Sequence, residues 1–334
     1  MIAARQPRKS WSRWIVLLKF AVAGLVLFQI TRTIKFEDVA PCFRDARGSL
    51  VGIALLLLAG NVVLISHRWS VTITIFGVRA PLGKLLAYNL MGLFLRQVVP
   101  FSLAGDGARI WLCRQVGLGI PESTVAVVLD RGSGVAGLLL VCFLATIASG
   151  SVHPVVWYVL GSALLMVFVP LLLLAGGWWV ATRGLAGRWT GRAARTVATV
   201  RNGVTRLGSS PAISIKIVAL SVASSWMALL ALYLVAKSVG SPVSLLEAAT
   251  YFPLVLLAAF FPFTVGGWGI REGAMVFVFS VLSFPAEQAL ASAVIFGALS
   301  TLVGLGGAPF WLLGLRDRQG LAPSLFVPVE GRKE

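Results

Sequence analysis

The stretch PFSLAGDGARIW, residues 100–111, decides how this chain is read. It sets Asp106 and Arg109 beside small residues and a proline, between runs that otherwise read as apolar membrane helix. A second stretch, PFTVGGWGIREG, begins 162 positions later at Pro262. Aligned without gaps, Pro100 meets Pro262, Phe101 meets Phe263, Gly105 meets Gly267, Gly107 meets Gly269 and Arg109 meets Arg271. Ser102/Thr264, Leu103/Val265 and Ala104/Gly266 are near-equivalents, so five identities and three close matches fall within ten positions.

The surrounding composition sets the class. Of 334 residues, 58% are hydrophobic and 12% charged, and the mean hydropathy is +0.90. A soluble domain of this length exposes far more charge, so the chain reads as an all-α polytopic membrane protein. The net charge of +17 would suit a nucleic-acid binder, but Lys and Arg also accumulate in the cytoplasmic loops of membrane proteins. That reading is preferred, and no nucleic-acid partner is expected. Cys42, Cys113 and Cys142 are widely separated, with no CxxC pair, and His67 and His153 have no nearby carboxylates. Neither a disulfide framework nor a metal site is expected, and no cofactor.

Apolar segments of bilayer-crossing length are read at 14–31, 49–66, 122–149, 154–180, 212–239 and 289–313, about six full spans. Ala21-Val22-Ala23 resembles a signal-peptide cleavage box, but Lys19 interrupts the apolar core, so a retained first span is expected. Segment 181–211 carries six arginines and no acid; it divides a transmembrane domain over 1–313 into halves 1–180 and 212–313. Residues 314–334 read as a short cytoplasmic tail.

Orientation follows from the charges. With the basic N-terminus and the arginine-rich segment both cytoplasmic, 49–66 runs inward, and Arg68, Arg79 and Lys84 lie inside. Region 82–109 then begins and ends on the cytoplasmic side, and region 244–283 begins and ends outside. Each is expected to be a re-entrant, broken helix pair. Three full crossings separate them, an odd number, so the repeat is expected to be inverted. The expected location is the inner (plasma) membrane.

Broken helices in inverted repeats are a transporter pattern, because non-helical backbone at membrane depth survives only where it is buried or lines a wet cavity. Pro100 and Pro262 would end one half-helix, and Gly105, Gly107, Gly266, Gly267 and Gly269 would allow the turn. Free N–H groups opening the next half-helix attract anions, and Arg109 and Arg271 add phosphate-seeking forks. Asp106 and Arg109, at i and i+3, share a helix face and are positioned to pair. Asp130 and Arg131 lie within span 122–149, where a charge is costly unless it is paired or wetted. Arg131 would balance Asp106 or Glu272; Asp130 would balance Arg109 or Arg271. The neighbours Arg271 and Glu272 are expected to point to different faces. Arg96, inside the first region, is a further candidate.

These patterns, together with Asp130-Arg131 in DRGSG, resemble the lysylphosphatidylglycerol synthase transmembrane family, whose members are flippase-like membrane proteins. Asp106 and Arg109 match its G-[DE]-x-x-R positions and Arg271-Glu272 its R-E pair. Full-length members couple a flippase-like membrane region to a cytosolic domain that transfers lysine onto phosphatidylglycerol. Residues 314–334 leave no room for such a domain, so the resemblance implies translocation without aminoacyl transfer. The partner would be a membrane lipid with an anionic or aminoacylated head group, or one linked to a polyprenol or hopanoid. A homo-oligomer is compatible with this. The rival readings are an integral-membrane transferase acting on a lipid-phosphate donor and a scaffold subunit whose buried charges only fix helix packing. No catalytic residue is assigned.

Overall fold

The computed structural model describes residues 36–99, 104–150, 209–259 and 267–318, with isolated positions between 157 and 206. Expected spans 14–31 and 154–180, most of segment 181–211, and Pro100, Pro262 and Gly266 lie outside the described residues. The described elements are all helical: α1 (Phe36–Arg44), α2 (Gly48–Thr74), α3 (Leu82–Val98), α4 (Ala104–Cys113), α5 (Ile120–Ser149), α6 (Pro211–Ser238), α7 (Leu245–Ala258), α8 (Ile270–Val281), α9 (Ala286–Leu305) and α10 (Ala308–Arg318). A single 3₁₀ turn, Arg114–Val116, follows α4.

Four helical stretches are long and apolar enough to cross a bilayer: α2, α5, α6, and α9 continued by α10 to Leu313. They fall on the expected spans 49–66, 122–149, 212–239 and 289–313. Local sequence explains their ends. Pro121 and Pro211 occupy the first helical turn, where no backbone donor is wasted. Gly150, at φ +66°, closes α5 in the left-handed conformation that glycine adopts without strain.

Two boundaries differ from expectation. Helix α2 does not stop at 66 but continues through Arg68 to Thr74, so Arg68 lies within the helix rather than beyond its end. The other is span 289–313, which is interrupted at Gly306-Gly307. A Cβ at Gly307 would collide with the Leu90 carbonyl oxygen, and one at Gly304 would lie 3.2 Å from Gln97 Cγ. The small residues of GLGGAPFW therefore let α9 and α10 approach the backbone of α3 closely. Helix α10 then runs to Arg318, taking up the first residues of the expected tail.

Both quoted motifs interrupt helices, and at each interruption the chain folds back on itself. In the first hairpin, Tyr88 of α3 donates its hydroxyl hydrogen to Gln115 Oε1 at 2.9 Å, just beyond α4. Nearer the tip, Gly92 faces Gly105 so closely that a Cβ on Gly105 would overlap the Gly92 carbonyl oxygen. In the second hairpin, Phe252 of α7 stacks on Phe279 of α8 with centroids 6.4 Å apart. The aligned glycines of the two motifs play different parts. Gly267 and Gly269 have φ of +85° and +90°, as a tight turn requires. Gly105 and Gly107 instead lie inside α4, which begins at Ala104; Gly105 serves close packing, and Gly107 faces open space. The motifs thus align in sequence, yet the second helix starts four residues later in the alignment.

Each half presents one long helix, a hairpin and another long helix: α2, α3–α4 and α5, then α6, α7–α8 and α9. Helices α2 and α6 pack against each other along their lengths and run antiparallel. Arg47 N–H donates to the Ser238 carbonyl at 3.0 Å at one end, and Val71, Ile75 and Ile217 cluster at the other. The hairpins exchange partners: α3 leans on α9 of the second half, and α7 leans on α5 of the first.

Gly105→Ala should lower stability by about 1–3 kcal/mol, the usual cost of overpacking a tight contact. Thermal unfolding of the detergent-solubilised protein checks this. Gly107→Ala, with open space at its Cβ position, is the matched control and should leave stability essentially unchanged.

Candidate functional site

Asp130 is the centre of the first cluster. It sits within α5, 1% exposed, where an unpaired carboxylate would be prohibitively costly. Its two oxygens take one arginine each: Oδ1 accepts from Arg68 Nε at 2.8 Å, and Oδ2 from Arg109 Nη2 at 2.8 Å. Arg68 also reaches Ser221 Oγ of α6 at 3.4 Å. The Arg109 guanidinium lies 4.1 Å from the centre of the Trp69 ring, a cation–π contact strengthened by burial. Glycines clear the space. A Cβ at Gly134 would stand 3.1 Å from Arg68 Nη1, and one at Gly92 would stand 3.2 Å from Arg109 Cγ. One carboxylate therefore ties α2, α4, α5 and, through Ser221, α6.

Beside it, Arg131 Nη2 meets Asp106 Oδ2 at 2.6 Å. This pair is less enclosed, with side chains 29% and 13% exposed. The neighbours Arg131 and Asp130 thus project toward different carboxylate and guanidinium partners on the same hairpin arm, α4.

The second hairpin carries its own pair. Arg271 donates from Nη2 to Glu272 Oε1 at 2.5 Å and from Nε to the same oxygen at 3.1 Å. Glu272 Oε2 accepts the Gly269 N–H at 2.5 Å, so the first turn of α8 is capped by its own carboxylate. Both residues are fully or nearly fully buried. The Arg271 guanidinium lies 4.8 Å from the Trp268 ring centre and packs on Gly297 of α9, where any Cβ would displace it.

Arg96 lies in the last turn of α3, within the first hairpin. It lies one turn beyond Gly92 on the face of α3 that meets α4, with its Cβ 3.5 Å from where a Cβ on Gly105 would stand. It is within electrostatic range of Arg131, Asp106 and Arg271, so charges from both halves converge on it. Its Nε is buried with no hydrogen-bond partner, and among the described residues the side chain makes no ion pair.

The seven candidate charged residues thus fall into two neighbouring groups, but several expected pairings differ. Asp106 and Arg109 do not pair with each other. Arg109 is drawn inward over Gly92 to the more deeply buried Asp130, which leaves Asp106 to Arg131. Arg271 pairs with neither Asp130 nor Asp106. It folds back onto Glu272, whose position in the first turn of α8 turns its carboxylate toward the helix start. The N–H of Gly269 is for the same reason not open to an anion. Of the proposed alternatives, Arg131 takes Asp106 and Asp130 takes Arg109.

Arg68, Trp69, Ser221, Trp268 and Gly297 join the site through the tertiary fold. In the sequence Arg68 stands just past span 49–66, because arginine counts against a span; only the carboxylate on another helix makes its burial tolerable. The Trp residues carry one available signal: each aligned arginine of the repeat, Arg109 and Arg271, rests on an indole. Away from these charges, a groove of about 650 Å³ opens between α2 and α6, lined by His67, Ser70, Thr74, Arg79 and Lys216 among others. Among the described residues no cluster of three His, Cys, Asp or Glu side chains is arranged to hold a metal ion.

Asp130→Asn leaves two buried guanidiniums without their carboxylate and should cost about 3–5 kcal/mol. Asp106→Asn, at the more exposed pair, should cost about 1 kcal/mol or less. Unfolding midpoints of the two variants in the same detergent give the comparison.

The chain matches no curated protein. A family model does match it, over residues 16–307, nearly the whole length and including both hairpins and every charge described above. That family is described as the lysylphosphatidylglycerol synthase TM region. The chain is therefore a membrane-embedded member of the lysylphosphatidylglycerol synthase TM region family, related to lipid modification or transport.

Proposed function

We propose that the chain is a lipid translocator of the inner membrane, moving a phospholipid or a lipid-linked anionic head group between leaflets. The observation that carries this reading is the buried charge on the second arm of each hairpin, α4 and α8, with Arg96 in electrostatic range of Asp106 and Arg271. A structural ion pair needs only two partners. Here buried charge recurs in both halves, as a three-way group and a pair around the first hairpin and as one pair in the second, and both hairpins lean on the opposite half.

The inverted arrangement is part of the proposal. Helices α2 and α6 open corresponding units of the two halves and run antiparallel, as inversion across the membrane requires. The exchanged hairpin contacts, α3 on α9 and α7 on α5, are what a two-fold axis in the membrane plane would produce. Lipid tails would stay in the bilayer while the head group crosses through the polar interior. The basic groove with Arg79 and Lys216 lies at the end of α2 that the charge pattern places inside, where it would gather anionic head groups from the inner leaflet.

The transferase reading requires a general base or a metal-holding acidic set. Asp106, Asp130 and Glu272 are each engaged by an arginine, so none of them stands free to take a proton from a substrate, which favours the translocator. In proteoliposomes with fluorescent phospholipids, leaflet exchange should fall about tenfold or more in Arg109→Ala and Arg271→Ala, with no lipid chemically altered. Product formation would establish the transferase instead, and unchanged exchange in both variants the scaffold.

Orientation is checked separately in a cysteine-free background. A cysteine replacing Gly117, after α4, should label only from the cytoplasmic side. One replacing Ser283, after α8, should label only from outside.

A further inference from the structure

The charges between the hairpins do not balance. Arg68, Arg96, Arg109, Arg131 and Arg271 face Asp106, Asp130 and Glu272: five guanidiniums against three carboxylates leave two positive charges. Arginine does not shed its proton at physiological pH, so the surplus is real charge, in a region that disfavours it.

The surplus divides: one positive charge stays with the Arg68–Asp130–Arg109 group, and the other is at Arg96. Asp130 is shared by Arg68 and Arg109, but both of those guanidiniums are held by it in direct hydrogen bonds. Arg131 and Arg271 each have a carboxylate at hydrogen-bond distance. Arg96 alone of the five has none among the described residues, and its Nε is buried without an acceptor. Burying a guanidinium donor without an acceptor is costly unless a ligand supplies one. Two of the groups that act on Arg96, Arg131 and Arg271, are themselves cationic, and only Asp106 opposes them. The position is therefore one of positive potential, partly open, on the first hairpin and within electrostatic range of Arg271 of the second.

We infer that Arg96 is the phosphate anchor of the translocation site, and that the preferred head group carries two net negative charges, as a terminal phosphate or pyrophosphate does. A zwitterionic head group would leave the surplus uncompensated, and an aminoacylated one would add positive charge to it. A phosphodiester such as phosphatidylglycerol would cancel half. This inference deepens the translocator reading and rests on it.

The test uses the full chain purified in detergent, with lipid binding measured by native mass spectrometry at about pH 8, where a phosphomonoester carries its second charge. Phosphatidic acid should bind about tenfold more tightly than phosphatidylglycerol, and lysylphosphatidylglycerol more weakly than either. Arg96→Gln should abolish that preference, while Arg96→Lys should keep it at reduced affinity. Equal binding of the three lipids by the wild-type protein would overturn the inference whether or not the Gln variant folds, as would a preference that survives in a folded Arg96→Gln protein. Inorganic pyrophosphate binding as tightly as phosphatidic acid would mark a site for a soluble anion and overturn the lipid assignment. Leaflet exchange of the same lipids in proteoliposomes separates the two levels. Exchange without charge preference removes the Arg96 subsite and leaves the translocator; charge-selective binding without exchange removes the translocator and leaves the subsite.

Discussion

The carboxylate of Asp130, held between Arg68 and Arg109, is the interaction on which the arrangement of the first half depends. It joins a long helix, a hairpin arm and a second long helix at one buried point. Any one of these charges alone inside an apolar bundle would cost several kcal/mol, on the order of the penalty for an ion stripped of water. Together they are tolerable only in one geometry, because each oxygen of the carboxylate accepts from a different guanidinium. The pairs thus select a helix register rather than simply adding stability.

Close backbone approach makes that geometry reachable. Gly92 and Gly105 bring the arms of the first hairpin together, Gly137 lets α5 approach the backbone of α6 at Ser221, and Gly297 receives the Arg271 guanidinium. Where lipid surrounds a protein, apolar side chains gain little by leaving lipid for a neighbour, so packing and polar contacts carry the association. The glycines and the arginines are therefore two parts of one solution. Small residues bring helices close, and the short distances allow the charged side chains to reach one another.

The second hairpin solves the same problem locally. Glu272 both caps α8 and neutralises Arg271, so its charges need no partner from another helix. This difference matters for function. The first hairpin's charge is locked to α2 and α5, whereas the second hairpin carries a self-contained pair and leans on α5 through α7. Arg96, on the first hairpin, differs from the other four arginines in having no carboxylate partner among the described residues.

Much of this was legible in the amino-acid sequence. Hydropathy runs located α2, α5, α6 and α9, because a bilayer-crossing helix must be continuously apolar. The two motifs located both helix breaks, although Gly105 and Gly107 of the first lie inside α4, while Gly267 and Gly269 of the second shape a turn through their positive φ. The charge pattern placed Arg96, Asp106, Arg109, Asp130, Arg131, Arg271 and Glu272 among the residues of interest. What the tertiary structure alone decided was who pairs with whom. Arg68 looked like the end of a span until Asp130, 62 positions away, was found against it. Asp106 and Arg109 shared a helix face, but the deeper carboxylate won the arginine. Spacing along a helix determines which side chains can meet; burial determines which do, since the most desolvated charge gains most from being matched.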